Sequence, residues 1–294
     1  MKENKVNLFV VGAMKAGTTS FAELLSKHTQ IYCPPVKEPN YFINRLPKQL
    51  YEPGRFFNLD DYLKNEFPKP LHITKIESEL QYRKIFSLAS TEKYRVDSST
   101  VYLHAKESAK LIHSYNPDAK IMVLLRDPMR RTFSHYKMDF GKGRVNDTFE
   151  TLITKDIAAY QNQSLPWYSY LAMSLYNKSI DRFKEQFSEV LVINFENFIN
   201  NEKDTMATIS SFLEIDSFEN LTMDHQNVAR RPLFPKLFYL LKRLGLKDYF
   251  SKIFSSTFKQ WLFRITSSKE KFEIDLSEAT RENLKQIFST ESQI

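Results

Sequence analysis

The stretch GAMKAGTTS, residues 12 to 20, combines glycine, lysine and hydroxyl residues at a spacing suited to binding an anion. Gly12 and Gly17 are two of only six glycines in 294 residues, and they have the spacing of a phosphate-binding loop. The apolar run before Gly12 predicts a buried strand, and the residues after Gly17 predict a helix. Backbone amides at a helix N-terminus bind phosphate or sulfate, so the loop predicts an anion site. A glycine-tolerant turn that happens to contain a lysine is the alternative.

The lysine of this loop is not where a nucleoside triphosphatase has it. Those enzymes place Lys and then Ser or Thr directly after the second glycine, with the hydroxyl on Mg²⁺. Here Thr18 and Thr19 follow Gly17, and Lys15 lies inside the loop. The order keeps the phosphate cradle but alters the lysine and hydroxyl positions that a kinase uses, which counts against a P-loop kinase.

A second candidate anion site lies in IMVLLRDPMRRTFSHY, residues 121 to 136. Arg126 ends a predicted buried strand, and Pro128 starts a predicted helix. Ser134 follows on the second turn of that helix, so a guanidinium and a hydroxyl could meet on another phosphate. Alternatively, Arg126 pairs with Asp127 or Glu150 and Ser134 is an exposed helix position.

Length and composition fit a single α/β domain. The chain has 294 residues, of which 42% are hydrophobic, and its net charge of +7 suits anionic ligands but is also ordinary for solubility. One cysteine, Cys33, excludes an intramolecular disulfide and any cysteine metal cluster, which favours a reducing compartment. The apolar run near the N-terminus is too short for a signal sequence or a membrane span, so we expect a cytoplasmic protein.

The predicted strands and helices alternate along the chain, which predicts a mainly parallel sheet with helices on both faces. The strand candidates are Leu8 to Val11, Lys93 to Val96, Ile121 to Leu125 and Val190 to Phe195. The helix candidates are Thr18 to Lys27, His104 to Tyr115, Arg130 to Phe140, Leu175 to Phe187 and Thr205 to Phe212.

Two segments fall outside this alternation. Residues 43 to 95 are irregular and proline-rich, and we predict an insertion that walls an acceptor site. Residues 233 to 294 predict a helical C-terminal segment within one domain of residues 1 to 294. Its basic aromatic part, Leu233 to Arg264, could contact a membrane or lipid acceptor, cover the acceptor pocket, or form a packed amphipathic helix pair.

GAMKAGTTS and LLRDPMRRTFSHY together resemble the donor-binding blocks of the sulfotransferases that use 3′-phosphoadenosine 5′-phosphosulfate (PAPS). The second block is similar to their pattern R-x-P-x-x-R-x-x-S-x-Y, which falls on Arg126, Pro128, Arg131, Ser134 and Tyr136. Weaker similarity runs through KEPNYF (37 to 42), DSSTVYL (97 to 103) and residues 175 to 198, so the resemblance covers about residues 7 to 231. It implies a P-loop-like sulfotransferase fold.

The resemblance implies roles for the donor-side residues. Lys15 would reach the oxygen that bridges phosphorus and sulfur, the loop would hold the 5′-phosphosulfate, and Arg126 with Ser134 would hold the 3′-phosphate. No metal is implied, and the product would be adenosine 3′,5′-bisphosphate (PAP). Arg230 and Arg231 fall where the family closes a basic loop over the nucleotide, although an ordinary basic turn fits them equally. The complete donor set is Lys15, Ala16, Gly17, Thr18, Thr19, Ser20, Arg126, Ser134, Arg230 and Arg231.

The family uses a histidine or the glutamate of a K-E-P motif as the base. Glu38 occupies that position, and Pro39 favours an extended backbone that could hold the carboxylate toward a cleft. An exposed glutamate paired with Lys37 is the alternative. The histidines lack a matching context, and we expect surface or core roles for all six, which are His28, His72, His104, His113, His135 and His225.

The acceptor side is expected to comprise Lys37, Asn40, Ser98 and Tyr102. Asn40 and Ser98 replace a histidine and a lysine that are frequent in the glycan enzymes, which puts a heparan-like acceptor in doubt. The resemblance implies sulfonate transfer to a hydroxyl, for which we expect a saccharide acceptor, with a lipid, sterol or other small alcohol as the alternative acceptor. A P-loop kinase and a non-catalytic nucleotide-binding protein are the alternatives of other classes, and no nucleic acid partner is expected.

Overall fold

The computed structural model of the chain describes residues 5–218, 231–232, 235–245, 258, 266–268 and 273–290. Its main sheet has five strands in the order β2-β5-β1-β6-β7, and every pairing in it is parallel. The prediction of a parallel sheet flanked by helices is confirmed. The strands of this sheet are β1 (Leu8–Gly12), β2 (Ile31–Tyr32), β5 (Tyr94–Asp97), β6 (Lys120–Leu125) and β7 (Val190–Asn194).

The central strands are apolar because both faces of the sheet are covered. All five residues of β1 are buried, as are the middle four of β6. Continuous apolar runs of this kind are typical of parallel strands with helices on both faces.

Helices make up most of the remaining described chain. A π-helical turn at Tyr62–Glu66 follows α2, and a short 3₁₀ turn at Ala172–Ser174 precedes α7. The helices are α1 (Thr18–Ser26), α2 (Leu59–Asp61), α3 (Glu79–Ile85), α4 (Ser108–Tyr115), α5 (Pro128–Gly141), α6 (Phe149–Gln161), α7 (Asn177–Lys184), α8 (Phe195–Asn200), α9 (Glu202–Leu213), α10 (Pro235–Arg243) and α11 (Glu278–Thr290).

Several helices differ from the sequence predictions, and α8 was not predicted. Helix α4 begins at Ser108 rather than His104, because the preceding residues turn back onto β1, where the Leu103 N–H donates to the Val11 carbonyl at 2.8 Å. Helix α6 was not predicted, and it begins where Thr148 accepts a hydrogen bond from the Thr151 N–H.

The segment 43 to 95 is more regular than its composition indicates. It contains α2, α3 and β4 (Leu71–Ile73), and β4 pairs in parallel with β3 (Val36–Glu38) in a separate two-stranded sheet. This pairing fixes the position of Glu38, the last residue of β3.

The C-terminal helix α11 packs against α6. Its Leu284 and Phe288 join a second apolar cluster with Phe133, Phe149 and Ile153. A further short pairing joins β8 (Arg231–Pro232) to β9 (Ser267–Ser268). Among the described residues, no helix has the length and apolar character needed to cross a membrane.

Candidate active site

The loop between β1 and α1 closes tightly because Gly17 lacks a side chain. Gly17 has φ of 83°, in the left-handed region that favours glycine. A Cβ at this position would lie 2.2 Å from Cε2 of Phe195, the residue that follows β7. The loop therefore lies directly against the residue that follows β7, two strands away in the sheet, and only glycine fits.

The first turn of α1 presents its backbone amides to the loop. Gly17 caps the helix without a side-chain hydrogen bond, and the N–H groups of the first helical turn lack intrahelical acceptors by geometry. These amides, with the positive end of the helix dipole, suit an anion. Ala16, a member of the predicted donor set, has a buried side chain, and its N–H donates to the Ala13 carbonyl at 3.1 Å. This N–H is therefore used within the loop.

Lys15 is held between the two predicted anion sites. Burial, together with the positive charges of Arg126 and Arg131, lowers the pKa of Lys15, while Asp139 and Glu38 oppose the shift. One guanidinium nitrogen of Arg126 donates to the Lys15 carbonyl at 3.1 Å. The cations of the two blocks thus lie together, an arrangement that a bound anion would stabilise.

Arg126 leaves the carboxyl end of β6 and lies over Phe195, with its Cζ 5.6 Å from the ring centroid. Its Nε is 3.9 Å from a carboxylate oxygen of Glu196, and that buried nitrogen makes no hydrogen bond within the described residues. Neither Asp127 nor Glu150 pairs with Arg126 among the described contacts. Asp127 caps α5, and Glu150 accepts hydrogen bonds from Ser277 and Thr280 at the start of α11.

Arg131, which also matches the pattern of the second block, is buried and holds α5 against the neighbouring segment. It is 0% exposed, and its Nε donates to Ser174 Oγ at 2.6 Å while another guanidinium nitrogen donates to the Tyr170 carbonyl at 2.7 Å. Burial lowers the pKa of Arg131 to about 10, so it remains charged at neutral pH. It anchors α5 and adds positive charge behind Lys15.

A single cleft of about 290 Å³ brings both anion sites together with the predicted base. Most of the predicted donor residues and Glu38 line it, along with side chains from the segment 43 to 95. The lining includes Lys15, Gly17, Thr18, Thr19, Ser20, Glu38, Leu50, His72, Thr100, Arg126, Ser134, Lys142, Arg144 and Phe195.

Glu38 is buried at one wall of this cleft, with only 7% of its surface exposed. Its Oε1 accepts a hydrogen bond from Lys37 Nζ at 2.9 Å, and its Oε2 accepts one from Thr100 Oγ1 at 3.0 Å. Burial alone would raise the pKa of Glu38, but the positive charge of Lys37 and the hydrogen bonds from Lys37 and Thr100 outweigh burial and lower it. The ion pair of Glu38 with Lys37 that the alternative expected is therefore present, but the glutamate is buried rather than exposed.

None of the four predicted acceptor-side residues lines the cleft. Asn40 and Tyr102 are 0% exposed and Ser98 is 4% exposed, and none of the three lines the cleft. The side-chain amide of Asn40 and the hydroxyl of Tyr102 are instead hydrogen-bonded inside the protein, to the Thr74 carbonyl and to Asp97. Lys37 lies closest to the prediction, since its ammonium contacts the carboxylate of Glu38.

His72 is exposed, as a surface role would have it, and it also lines the cleft. The register pairs Val36 with Leu71 and Glu38 with Ile73, which places His72 beside Lys37 across the two strands. Burial and Lys37 lower the pKa of His72, so its ring is neutral at pH 7. The pairing of two distant strands has no signal in the local sequence.

The other predicted features fall partly outside the described residues. Arg230 lies outside them, as does most of Leu233 to Arg264, and Arg231 is described only as the start of β8. Within the described part of the chain, no group of three or more His, Cys, Asp or Glu side chains is arranged to hold a metal ion.

Residues 7–220 match the model of the Sulfotransferase family. Among curated proteins, the chain is 25% identical over 271 residues to mouse (Mus musculus) carbohydrate sulfotransferase 15, covering 77% of this chain and 47% of that protein. It is 26% identical over 233 residues to the mouse bifunctional heparan sulfate N-deacetylase/N-sulfotransferase 4, covering 74% of this chain and 24% of that protein. The chain thus spans half or less of the length of these relatives.

Among solved structures, the chain is similar to a sulfotransferase from Alicyclobacillus acidocaldarius. The TM-score is 0.59 at 28% identity, and the match covers 83% of this chain and 92% of that one.

Proposed function

Because the chain belongs to the Sulfotransferase family, we propose that it transfers a sulfonate group from PAPS to a hydroxyl of an acceptor. One observation carries the proposal. Lys15, Arg126 and Glu38 line the same cleft, so two anion-binding groups and a proton acceptor meet at one place.

The donor side of the cleft fits a ligand with two separate anionic ends. Gly17 brings the loop amides close to the cleft, and the buried Nε of Arg126 has no hydrogen-bond partner among the described residues. We assign the 5′-phosphosulfate to the loop and the first turn of α1, and the 3′-phosphate to Arg126 with Ser134. When bound, the donor would supply a sulfonate activated by its link to the 5′-phosphate.

Glu38 acts in this proposal as the general base. Its carboxylate accepts the proton of the acceptor hydroxyl, and the hydroxyl oxygen bonds to sulfur as the bond between sulfur and the bridging oxygen breaks. Lys15 stabilises the negative charge that develops on the departing oxygen, and PAP leaves. The protein holds the two reacting groups in line, which is the larger part of such catalysis.

A saccharide is the acceptor we propose. Carbohydrate sulfotransferase 15 and the heparan sulfate enzyme, among the relatives, are named for acting on saccharides, although the identity is low. Leu50, His72 and Ile73 from the segment 43 to 95 line the cleft, which supports an acceptor-side role for that segment. A lipid, sterol or other small alcohol is the competing acceptor. The cytoplasmic location of the protein and a membrane contact of its C-terminal segment stay predictions.

Calorimetry with PAP, and separately with ATP and Mg²⁺, tests the donor assignment. We expect metal-free binding of PAP that weakens by about 10-fold or more in Arg126→Ala, because a charged hydrogen bond is lost. Arg130→Ala is the matched control, since Arg130 lies four residues further along the chain, is exposed on the first turn of α5 and does not line the cleft. Preference for ATP with Mg²⁺, or no binding of either nucleotide, would contradict the proposal. A screen of saccharide and lipid alcohols with labelled PAPS then identifies the acceptor.

A further inference from the structure

Asp97, the last residue of β5, carries a carboxylate that is completely buried. It accepts three hydrogen bonds, from Ser99 Oγ at 2.6 Å, Tyr82 Oη at 2.9 Å and Tyr102 Oη at 3.0 Å. The three donors are also buried. A buried carboxylate depends on such bonds, because each lost bond leaves a desolvated oxygen without a partner. Asp97 therefore fixes the positions of three hydroxyl groups.

Two of these hydroxyls continue to the backbone that follows Glu38. Ser99 Oγ accepts a hydrogen bond from the Asn40 N–H at 3.0 Å, and Tyr102 Oη accepts one from the Phe42 N–H at 3.1 Å. Each hydroxyl thus donates to Asp97 and accepts from the segment 40 to 42. The carboxylate orients both hydroxyls so that their lone pairs face the segment.

The segment 40 to 42 is tied in turn to Glu38. The side-chain amide of Asn40 donates to the Glu38 carbonyl at 2.9 Å and to the Thr74 carbonyl at 2.8 Å. It therefore joins the end of β3 to the residue after β4. Asn40 has φ of 51°, a left-handed conformation that asparagine tolerates better than most residues.

We infer that Asp97 is a positioning residue for proton transfer, acting through Ser99 and Tyr102 to hold the segment 40 to 42 and thereby the carboxylate of Glu38. The inference rests on the proposed function, in which Glu38 is the base. Neither Asp97 nor its two hydroxyl partners line the cleft, so their effect on the reaction is indirect. Tyr102 thus has an acceptor-side role without contacting the acceptor.

Tyr82 provides a matched control within the same cluster. It donates to the same Oδ2 of Asp97 as Tyr102 does, and it is equally buried, at 1% exposed against 0%. Within the described residues, however, its hydroxyl makes no hydrogen bond to the backbone of residues 40 to 42. Tyr82→Phe and Tyr102→Phe therefore each remove one hydrogen bond from Asp97, but only the second removes the acceptor of the Phe42 N–H.

The test compares Tyr102→Phe, Tyr82→Phe and Ser99→Ala in the full chain. Hydrogen exchange of the amides of residues 40 to 42 should accelerate by about 10-fold in Tyr102→Phe and Ser99→Ala, and stay near wild type in Tyr82→Phe. The kcat for sulfonate transfer should fall by about 10-fold to 100-fold in the first two variants, because small displacements of a catalytic group are costly. The Kd for PAP should be unchanged in all three, since the donor side is untouched.

Equal losses of kcat and equal exchange rates in the two tyrosine variants would overturn the inference, because the cluster would then support only the stability of the fold. Unchanged exchange and kcat in both Tyr102→Phe and Ser99→Ala would overturn it too. Ser99→Ala decides the outcome if Tyr102→Phe does not fold. If the wild-type protein binds no PAP and transfers no sulfonate, the proposed function is contradicted. The hydrogen-exchange comparison needs no activity, so it would still decide whether Asp97 and its hydroxyl partners hold residues 40 to 42 in place.

Discussion

The ammonium of Lys37 lies 2.9 Å from Oε1 of the residue next to it, Glu38, in a pair that is largely buried. The contact explains how a carboxylate can stay ionised inside a cleft wall, since Lys37 offsets the burial that would raise its pKa. It also has a cost for catalysis, because a carboxylate with a lowered pKa is a weaker base. Any substrate group that attracts Lys37 away from Glu38 would strengthen the base at the time it is needed.

Glu38→Gln should lower kcat by about 10²-fold to 10⁴-fold, because the amide cannot accept the proton of the acceptor hydroxyl. The Kd for PAP should stay within about twofold of wild type, since the donor groups are unchanged. Transfer of labelled sulfonate and calorimetry measure the two effects. Glu77→Gln, an exposed glutamate paired with Lys75, is the control and should behave as wild type. Full activity in Glu38→Gln would exclude Glu38 as the base.

The donor half of the site could be predicted from the sequence because each part is local. The loop after β1 and the start of α5 are strand-to-helix turns, and an apolar run followed by Gly17 or by Pro128 marks them directly. Parallel strands then place both turns at the same edge of the sheet, so Lys15 and Arg126 meet without further information.

The acceptor half could not be predicted in the same way, because it depends on pairing between distant segments. His72 reaches the cleft only through the register of β3 with β4, and those strands are separated by irregular sequence. Asn40 and Tyr102 carry polar side chains typical of a binding surface, yet hydrogen bonds to segments distant in sequence direct them inward. Periodicity reports which face of an element is buried, but it does not report the partner in a turn.

Gly17→Ala should weaken PAP binding and lower the free energy of unfolding by about 2 kcal/mol or more, through backbone strain and overlap with Phe195. The new Cβ would lie 2.2 Å from Cε2 and 2.6 Å from Cδ2 of that ring. Gly245→Ala separates the two causes, because Gly245 has φ of 70° but no atom of the described chain lies within 4 Å of its added Cβ. Denaturant unfolding should therefore show a smaller loss in Gly245→Ala. Equal losses in the two variants would mean that Phe195 accommodates the methyl group.

The activity kcat/KM should begin to fall at a pH below the pKa of an ordinary lysine, because burial and Arg126 lower the pKa of Lys15. We call this fall the alkaline limb of the pH profile. Lys15 must be protonated to stabilise the leaving oxygen, so activity falls as pH rises through this lowered pKa. The bound donor's negative charge favours the protonated form, so the limb of kcat should lie at higher pH than that of kcat/KM. Profiles of both parameters against pH measure the difference. Lys15→Arg, which keeps its charge, should lack this limb, and a limb at the same pH in that variant would assign it to another group.

Lys37→Met should shift the acid limb of kcat/KM to higher pH. In the wild type, Lys37 holds the pKa of Glu38 below its ordinary range. As pH falls, the carboxylate therefore stays ionised and acts as a base until the pH reaches this lowered pKa. Without Lys37, burial is opposed less strongly and the pKa of Glu38 rises relative to the wild type, so protonation stops the reaction at a higher pH. The plot of log(kcat/KM) against pH shows the shift directly.

Lys75→Met is the matched control for this shift. The side chain of Lys75 is 16% exposed and that of Lys37 is 15% exposed, but Lys75 pairs with the exposed Glu77 instead of Glu38. Both variants therefore lose a largely buried lysine, but only Lys37→Met removes the positive charge next to Glu38. An acid limb that stays at its wild-type pH in Lys37→Met would show that Glu38 is not the group whose protonation stops the reaction. A shift of equal size in Lys75→Met would attribute the change to general charge rather than to the contact with Glu38.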